Sequence, residues 1–495
     1  MKFASTVLGV VVVSAGAVDA WSFSGVWDSF QHWMFGDTPV HHRQIHHHQS
    51  ESGKATGSLD FTGTNWAVIV AGSDGYFNYR HQADACHAYQ ILRANGYPED
   101  HIILMMKDDV ANNIRNPFPG NLINQPGGEN VYEGCKVDYR GSDVTPENFE
   151  KVLTGQKMHV GNGKTLKSGP DDHVFVNFID HGGVGLIAFP EGKIVTSRQL
   201  HSTLEKMKDN DMYGKLVFYM EACESGSMFD NLLPNDWNIF ATTASTGNQS
   251  SYATYWDMSR RTFLGDLYSV SWMEDSDKHF FIDHAKDIET LEKQYTQVYA
   301  RTSKSSQPQQ YGDIPYANKA TIEEFQQYQD NNLNKPNFGR KRRADQLKSG
   351  MNGKTYAENR VQAELDAVSS RDVTAQTLQR LMGANDVDDE HQAAFGDIEA
   401  ELQKEYRNIQ RAEDRFMSVA WNVAGSKSNG LHEKYVSSIK DHDCLSDSIV
   451  AFHEECHPID EYHIRFTRVL AHLCDSGHTA TEVKSAIVNT PSCQW

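Results

Sequence analysis

Hydrophobic positions along this 495-residue chain fall into three regimes. In the first, from about Asn65, short β-branched and aromatic runs alternate with segments of helical spacing. The runs at 66–70, 101–106, 174–179, 216–222 and 237–243 are predominantly apolar, which predicts strands covered on both faces. Residues 82–95 predict a helix that turns Ala85, Tyr89 and Leu92 to the sheet, and 197–208 predict another. A third helix is expected to start after Thr145, with that hydroxyl as its cap and Pro146 in the first helical position. Strand and helix alternating in this way predict an α/β fold, an open and mainly parallel sheet with right-handed crossovers.

The pattern changes near residue 303. The polar stretch 303–310 and the Asn-rich, then basic, stretch 331–343 predict a linker. From 344 to about 423 the spacing is helical, and the last seventy or so residues predict short helices carrying Cys444, Cys456, Cys474 and Cys493. Ahead of the sheet, Lys2 precedes an apolar run at 6–18, with Ala15, Ala17 and Ala20 following. That is the form of a secretory signal peptide, with cleavage expected after Ala17 or Ala20. Residues 21–60 show no core pattern; His41, His42, His46, His47 and His48 lie there, in a stretch expected to be a solvated pro-segment rather than a metal site. The expected boundaries are therefore 1–20, 21–60, 61–330, 331–343 and 344–495.

Composition narrows the function. A formal charge of −20 argues against nucleic acid as a partner and suits an acidic compartment. No second apolar run is long enough to span a bilayer, so a chain without a membrane anchor is expected in the secretory or endolysosomal system. Of the seven cysteines, four cluster in the tail. Two disulfides are favoured there over a zinc site with His453, His457 and His472, because close Cys-x-x-Cys pairs are missing.

Two residues carry the chemistry. His181 and Cys223 each follow an apolar strand, at the carboxyl end where open α/β sheets gather their catalytic groups. Singly, each would be a core residue. Together they are a nucleophile and a base for acyl transfer, and Gly182 and Gly183 leave backbone N–H groups approachable. Acyl transfer by a thiol calls for no metal and no cofactor.

The segments Asn78-Tyr79-Arg80-His81-Gln82-Ala83-Asp84, Asp180-His181-Gly182 and Glu221-Ala222-Cys223-Glu224-Ser225-Gly226-Ser227 resemble the legumain family of asparaginyl endopeptidases, as do 166–170 and 272–277. The resemblance is dense over about 62–280 and weaker through the tail. It implies a caspase-like α/β fold, synthesis as a zymogen, and a lysosomal, vacuolar or secreted home. It also implies Cys223 as nucleophile, His181 as base, Asn78 orienting the histidine, and Gly182 with Cys223 as oxyanion donors. Asp180 matches a position at which the family forms a succinimide; helix capping and solvation are its plainer readings.

An Asn side chain offers an acceptor and a donor together, and the resemblance places Arg80, His81, Glu221, Ser251 and Asp266 around it. The tail would be a helical prodomain that inhibits the enzyme, with Cys444 paired to Cys474 and Cys456 to Cys493, leaving Cys135 unpaired. Activation cleavage is expected at Asn331, Asn332 or Asn334, or by a basic-specific protease at Lys341-Arg342-Arg343. Protein and peptide substrates, and a monomer, follow from the same resemblance. Asn248 heads a sequon that lies beside the expected pocket and is expected to be unused. Peptide ligation by the same acyl-enzyme, a GPI-transamidase-like subunit, and a non-catalytic binding module remain as alternatives.

Overall fold

The computed structural model describes residues 61, 63–327, 343–345, 356–383, 397–436 and 438–494, those at 356–360 by backbone alone. The expected signal peptide and pro-segment, and Asn331, Asn332 and Asn334, lie outside the described residues.

The strands are β1 (Asn65–Ala71), β2 (Ile102–Met106), β3 (His173–Ile179), β4 (Gly182–Gly183), β5 (Leu186–Phe189), β6 (Lys193–Thr196), β7 (Lys215–Glu221), β8 (Ile239–Thr243), β9 (Tyr252–Asp257), β10 (Thr262–Asp266), β11 (Gln309–Gly312) and β12 (Val368–Ser369). Six form the main sheet in the order β11-β8-β7-β3-β1-β2, with only β11 antiparallel to its neighbour. Alternate residues of each strand feed two separate cores. Ala67, Ile69, Phe175, Val217 and Tyr219 face one side, and Val68, Val70, Val176, Phe218 and Met220 face the other. Both faces being buried, the strands read as unbroken apolar runs.

Helices α1 (Tyr79–Ala94), α2 (Pro146–Leu153), α3 (Ser197–Asp209), α4 (Leu267–Asp277) and α5 (Leu291–Thr302) supply the covers. The first core takes Tyr79, Leu92, Trp272 and Val298; the second takes Phe149, Val152, Leu200 and Leu204. Thr145 caps α2 by accepting from Asn148 N at 3.1 Å. At α3, Thr196 and Gln199 form a reciprocal capping box.

Three expectations are corrected. Helix α1 starts at Tyr79 rather than 82, because the turn Tyr76–Asn78 leads straight into it. The polar stretch at 303–310 is not part of a linker: Gln309 and Gln310 begin β11, which pairs with Thr243 and Thr242 of β8. Cys135 is not unpaired, since Cys86 of α1 faces the long loop after β2 and bonds to it there. Cys223 is the free cysteine among the described residues.

The tail forms α6 (Tyr356–Asp366), α7 (Val373–Gly383), α8 (Ile398–Ala424), α9 (His442–Glu455), α10 (Arg468–Asp475) and α11 (Ala480–Asn489). Cys444–Cys474 ties α9 to α10, and Cys456–Cys493 ties the end of α9 to the turn after α11. All four tail cysteines are thus in disulfides, which leaves none for zinc. Phe416, Leu445, Ile449, Phe452, Val469 and Leu470 form the tail's own core, and Val184 and Leu186 of the β4–β5 hairpin are buried inside it.

The Cys86–Cys135 bond closes a separation of 49 residues. Replacing both by Ser is expected to lower unfolding stability by roughly 2–4 kcal/mol, read as a fall in the urea midpoint. An unchanged midpoint would mean that the loop is held by packing alone.

Candidate active site

Register places the reactive groups. Ile179 of β3 pairs with both Ala71 of β1 and Glu221 of β7, so the three strands end level. His181 and Cys223 therefore emerge on one rim, two residues beyond their strands. Gly182 is required for the approach between them: a Cβ there would lie 2.4 Å from Cys223 O and 2.9 Å from Ala222 Cβ.

The Cys223 thiol is 1% exposed. Its Sγ lies 3.1 Å from Ser250 Oγ and 3.6 Å from Ser251 Oγ, and it accepts from Ser251 N at 3.4 Å. His181 Nε2 is 2.8 Å from Asn78 Oδ1, and Asn78 Nδ2 donates to Asp74 O at 2.9 Å, which fixes the amide. Burial, with Arg80 and Arg465 nearby, pushes His181 down to about 3, so the ring is held neutral. Asp180, 2% exposed, neither caps a helix nor meets solvent; burial pushes its carboxyl well up.

The five expected pocket residues come together. Arg80 Nε donates to Asp266 Oδ1 at 2.9 Å, and both side chains are fully buried. His81 lies between Ser73 Oγ at 2.6 Å and Asp266 Oδ2 at 3.5 Å. Glu221 Oε2 accepts from Ser269 N and Oγ, each at 3.0 Å. Burial raises the carboxyls of Glu221 and Asp266, and the two raise Glu221 further by mutual repulsion. Arg80 Nη2, Glu221 Oε1 and Asp266 Oδ2 are buried with no hydrogen-bond partner. Buried groups of this kind ordinarily have hydrogen-bond partners.

Asp84 lies behind the pocket and was not expected there: its Oδ2 accepts from Asp266 N at 3.1 Å. Two trios, His81–Asp180–His181 and His457–Asp460–His463, bring potential metal ligands together. In the first, His81 Nδ1 and His181 Nε2 are engaged by Ser73 and Asn78.

The tail occupies the cleft. Strand β12 pairs antiparallel with β9, Ser369 opposite Tyr252, and Ser370 N donates to Ser251 O at 2.9 Å. Ser370 Oγ then reaches into the pocket, 3.3 Å from Asp266 Oδ1 and 3.2 Å from Ser251 Oγ. Ser369 Oγ sits 2.9 Å from Ser250 Oγ. Glu224, immediately after the cysteine, is fully buried between Arg371 and Arg468, the latter at 2.8 Å. About 10 Å³ of space is left between Asn78, His181, Cys223, Arg371 and Tyr462, room for about one water. None of Ser370, Arg371 and Arg468 carries a local sequence signal, since their role exists only once the tail is folded back. Glu224 sat inside a quoted motif without a role. Asn248 Nδ2 donates to Val436 O of the tail at 3.2 Å, so a glycan on this nitrogen would break that contact.

A buried thiol and a neutral imidazole brought to one sheet rim are the reactive pair of a cysteine peptidase. Known proteins agree. The Peptidase C13 family matches residues 65–328, and the legumain prodomain family matches 400–491. Legumain of Mus musculus is 42% identical over 433 residues, covering 86% of this chain and 92% of that protein. Legumain of Homo sapiens is 40% identical over 430 residues, covering 85% and 92%. The vacuolar-processing enzyme beta-isozyme of Arabidopsis thaliana is 35% identical over 461 residues, covering 90% and 89%. The chain belongs to the Peptidase C13 family and is a legumain-type cysteine endopeptidase bearing a legumain prodomain.

Because the Cβ of an alanine at 182 would overlap backbone rather than a flexible side-chain end, Gly182→Ala is expected to cost about 1–3 kcal/mol. Urea unfolding of the full chain measures it; a change within 0.5 kcal/mol, about the usual scatter for a surface substitution, would show that the rim can yield.

Proposed function

We propose that the enzyme cleaves peptide bonds after Asn, and after Asp at low pH, through a Cys223 acyl-enzyme, and that it is made as a zymogen which its own tail blocks until acid and cleavage release it. The observation that carries this reading is the set of open polar atoms in the pocket, with a tail serine hydroxyl standing where a substrate side chain would go.

In this mechanism His181 takes the Cys223 proton, and the thiolate attacks the main-chain carbonyl carbon of the Asn residue. The oxyanion is met by the N–H groups of Gly182 and Cys223. The C–N bond then breaks, with His181 returning the proton to the leaving amine, and water hydrolyses the thioester by the same route. Asn78, 2.8 Å from Nε2, keeps the ring oriented. Arg80 would donate to the substrate amide oxygen while Glu221 and Asp266 accept from its nitrogen; His81 and Ser251 complete the wall. A charged aspartate, whose free pKa is about 3.9, would bring a further anion against these two acidic side chains, whose carboxyls burial already pushes up. Once protonated, it can present the same pattern as Asn.

The tail acts as a pseudosubstrate. It uses strand addition at β9, a mode in which main-chain bonds supply affinity and side-chain pockets supply specificity. Release in acid fits a secretory route ending in a lysosome, vacuole or acidic exterior. Cleavage within 331–343, at Asn331, Asn332 or Asn334, would separate the tail from a catalytic chain of about 61–330. The legumain prodomain match supports this reading over a transamidase subunit.

Incubation at pH 4 to 5 with peptides carrying a single Asn or Asp is expected to give cuts after Asn, and cuts after Asp that grow as pH falls. Both should be absent in Cys223→Ala, with mass spectrometry as the readout. Equal Asn and Asp rates at neutral pH would refute the pocket assignment, and joined peptides would assign a ligase.

His442 links tail to catalytic part. Its Nδ1 meets Ser197 Oγ at 3.0 Å and its Nε2 meets Asp230 O at 2.9 Å. Burial lowers its pKa, aided by Arg198 and opposed by Asp230 and Asp443. A histidine held neutral when docked stabilises docking fully above its free pKa, near 6.5, and loses that contribution as pH falls toward the lowered value. His442→Gln is therefore expected to move tail release to lower pH and to remove about one proton from its pH dependence. Release followed by size-exclusion chromatography across pH measures this. Release at an unchanged pH would remove His442 from the switch.

A further inference from the structure

Arg343 closes the basic stretch of the linker, yet it is only 4% exposed. Its Nε donates to Asp277 Oδ1 at 3.1 Å and its Nη2 to Asp277 Oδ2 at 2.7 Å. Glu129 forms a further ion pair with Nη1. A basic-specific protease therefore cannot engage this side chain while it is docked, which corrects the expectation of cleavage at that residue.

The walls of the socket belong to the catalytic part. Asp277 is the last residue of α4, Glu129 lies in the disulfide-pinned loop after β2, and His87 belongs to α1. His87 Nε2 is 2.8 Å from Asp277 Oδ2, and its Nδ1 is 2.7 Å from Asn124 Oδ1. Asn124 Nδ2 in turn donates to Asp84 Oδ1 at 2.6 Å, behind the substrate pocket. The Asp277 carboxylate is thus held by a bonded chain that does not pass through the arginine.

We propose that this socket is a guanidinium-binding subsite of the catalytic chain, which receives an arginine side chain from a partner protein or peptide once the fragment carrying Arg343 has left. Departure of that fragment rests on the zymogen reading above; the chemistry of the socket does not. Removing one partner of a buried ion pair leaves the other uncompensated, which is strongly unfavourable, so an emptied socket draws in a cation or, since burial pushes the Asp277 carboxyl well up, a proton. Asp277 is presented for a two-pronged bond, which a planar guanidinium makes and an ammonium cannot. Glu129, 14% exposed at its side chain, marks the side open to solvent.

The test opens the socket without activation. Full-length Arg343→Ala is titrated with n-propylguanidinium, the arginine side chain alone, and with n-butylammonium, its lysine counterpart. The expected result is a saturable rise in unfolding temperature with n-propylguanidinium at concentrations on the order of tenfold below those needed for n-butylammonium. The rise should disappear in Arg343→Ala combined with Asp277→Asn or, should that fail to fold, with Glu129→Gln. No rise, an equal rise with both cations, or a rise that persists in both double variants would overturn the proposal. A second arm titrates acid-activated wild-type enzyme, freed of its tail, in the same way. A rise in the first arm alone would mean that the socket is sound and that the fragment stays bound after cleavage, which would overturn delivery in trans. Should Arg343→Ala not fold, the second arm decides, with Glu129→Gln as its control.

Discussion

The parallel register between β3 and β7 is the constraint on which the rest depends. Ile179 opposite Glu221 makes the two strands stop together, so the residues two steps beyond meet on one rim. A slip of one residue would send the apolar side chains of each strand to the wrong core and carry His181 away from Cys223. The core thus locks the active site: Val176 and Phe218 on one face, Phe175 and Val217 on the other, hold the register that the chemistry needs.

Upon that rim the molecule places two kinds of incompleteness. The pocket has donors and acceptors without partners, and the cleft beside it has a strand edge at β9 without a neighbour until the tail supplies β12. The tail answers both at once, with main-chain pairing along β9, a serine hydroxyl into the pocket, and two arginines on Glu224. The contact at Glu224 is made at the residue after the thiol, so what holds the tail and what blocks the cysteine are nearly the same atoms. Charge is central to this grip, and His442 adds further contacts to Ser197 and to the carbonyl of Asp230.

Much of this was legible in the chain. Buried parallel strands announce themselves as continuous apolar runs, and residues that follow such runs fall on the carboxyl rim, which is how His181 and Cys223 could be singled out. The legumain resemblance pointed to the proposed pocket, whose members are scattered from Arg80 to Asp266 and share no spacing. What escaped was whatever depends on distant parts folding back. Cys135 found Cys86 because a loop crosses α1, and no local pattern records such a crossing. Gln309 and Gln310 looked like linker because β11 is a half-exposed edge strand, where polar residues are tolerated. Ser370 and Arg371 sit in an unremarkable polar stretch, and their meaning comes entirely from the cleft they fill.

The β4–β5 hairpin has a further consequence. Val184 and Leu186 are buried in the tail's core rather than in either core of the sheet. The hairpin is therefore common property, and removing the tail would divide a single hydrophobic core into two open faces. Each fragment would leave with half of a mould for the other. The catalytic part would expose an apolar finger, and the tail the notch that fitted it. How long either survives alone then depends on dilution, because the two faces that most readily stick to something are the pair that already fit one another.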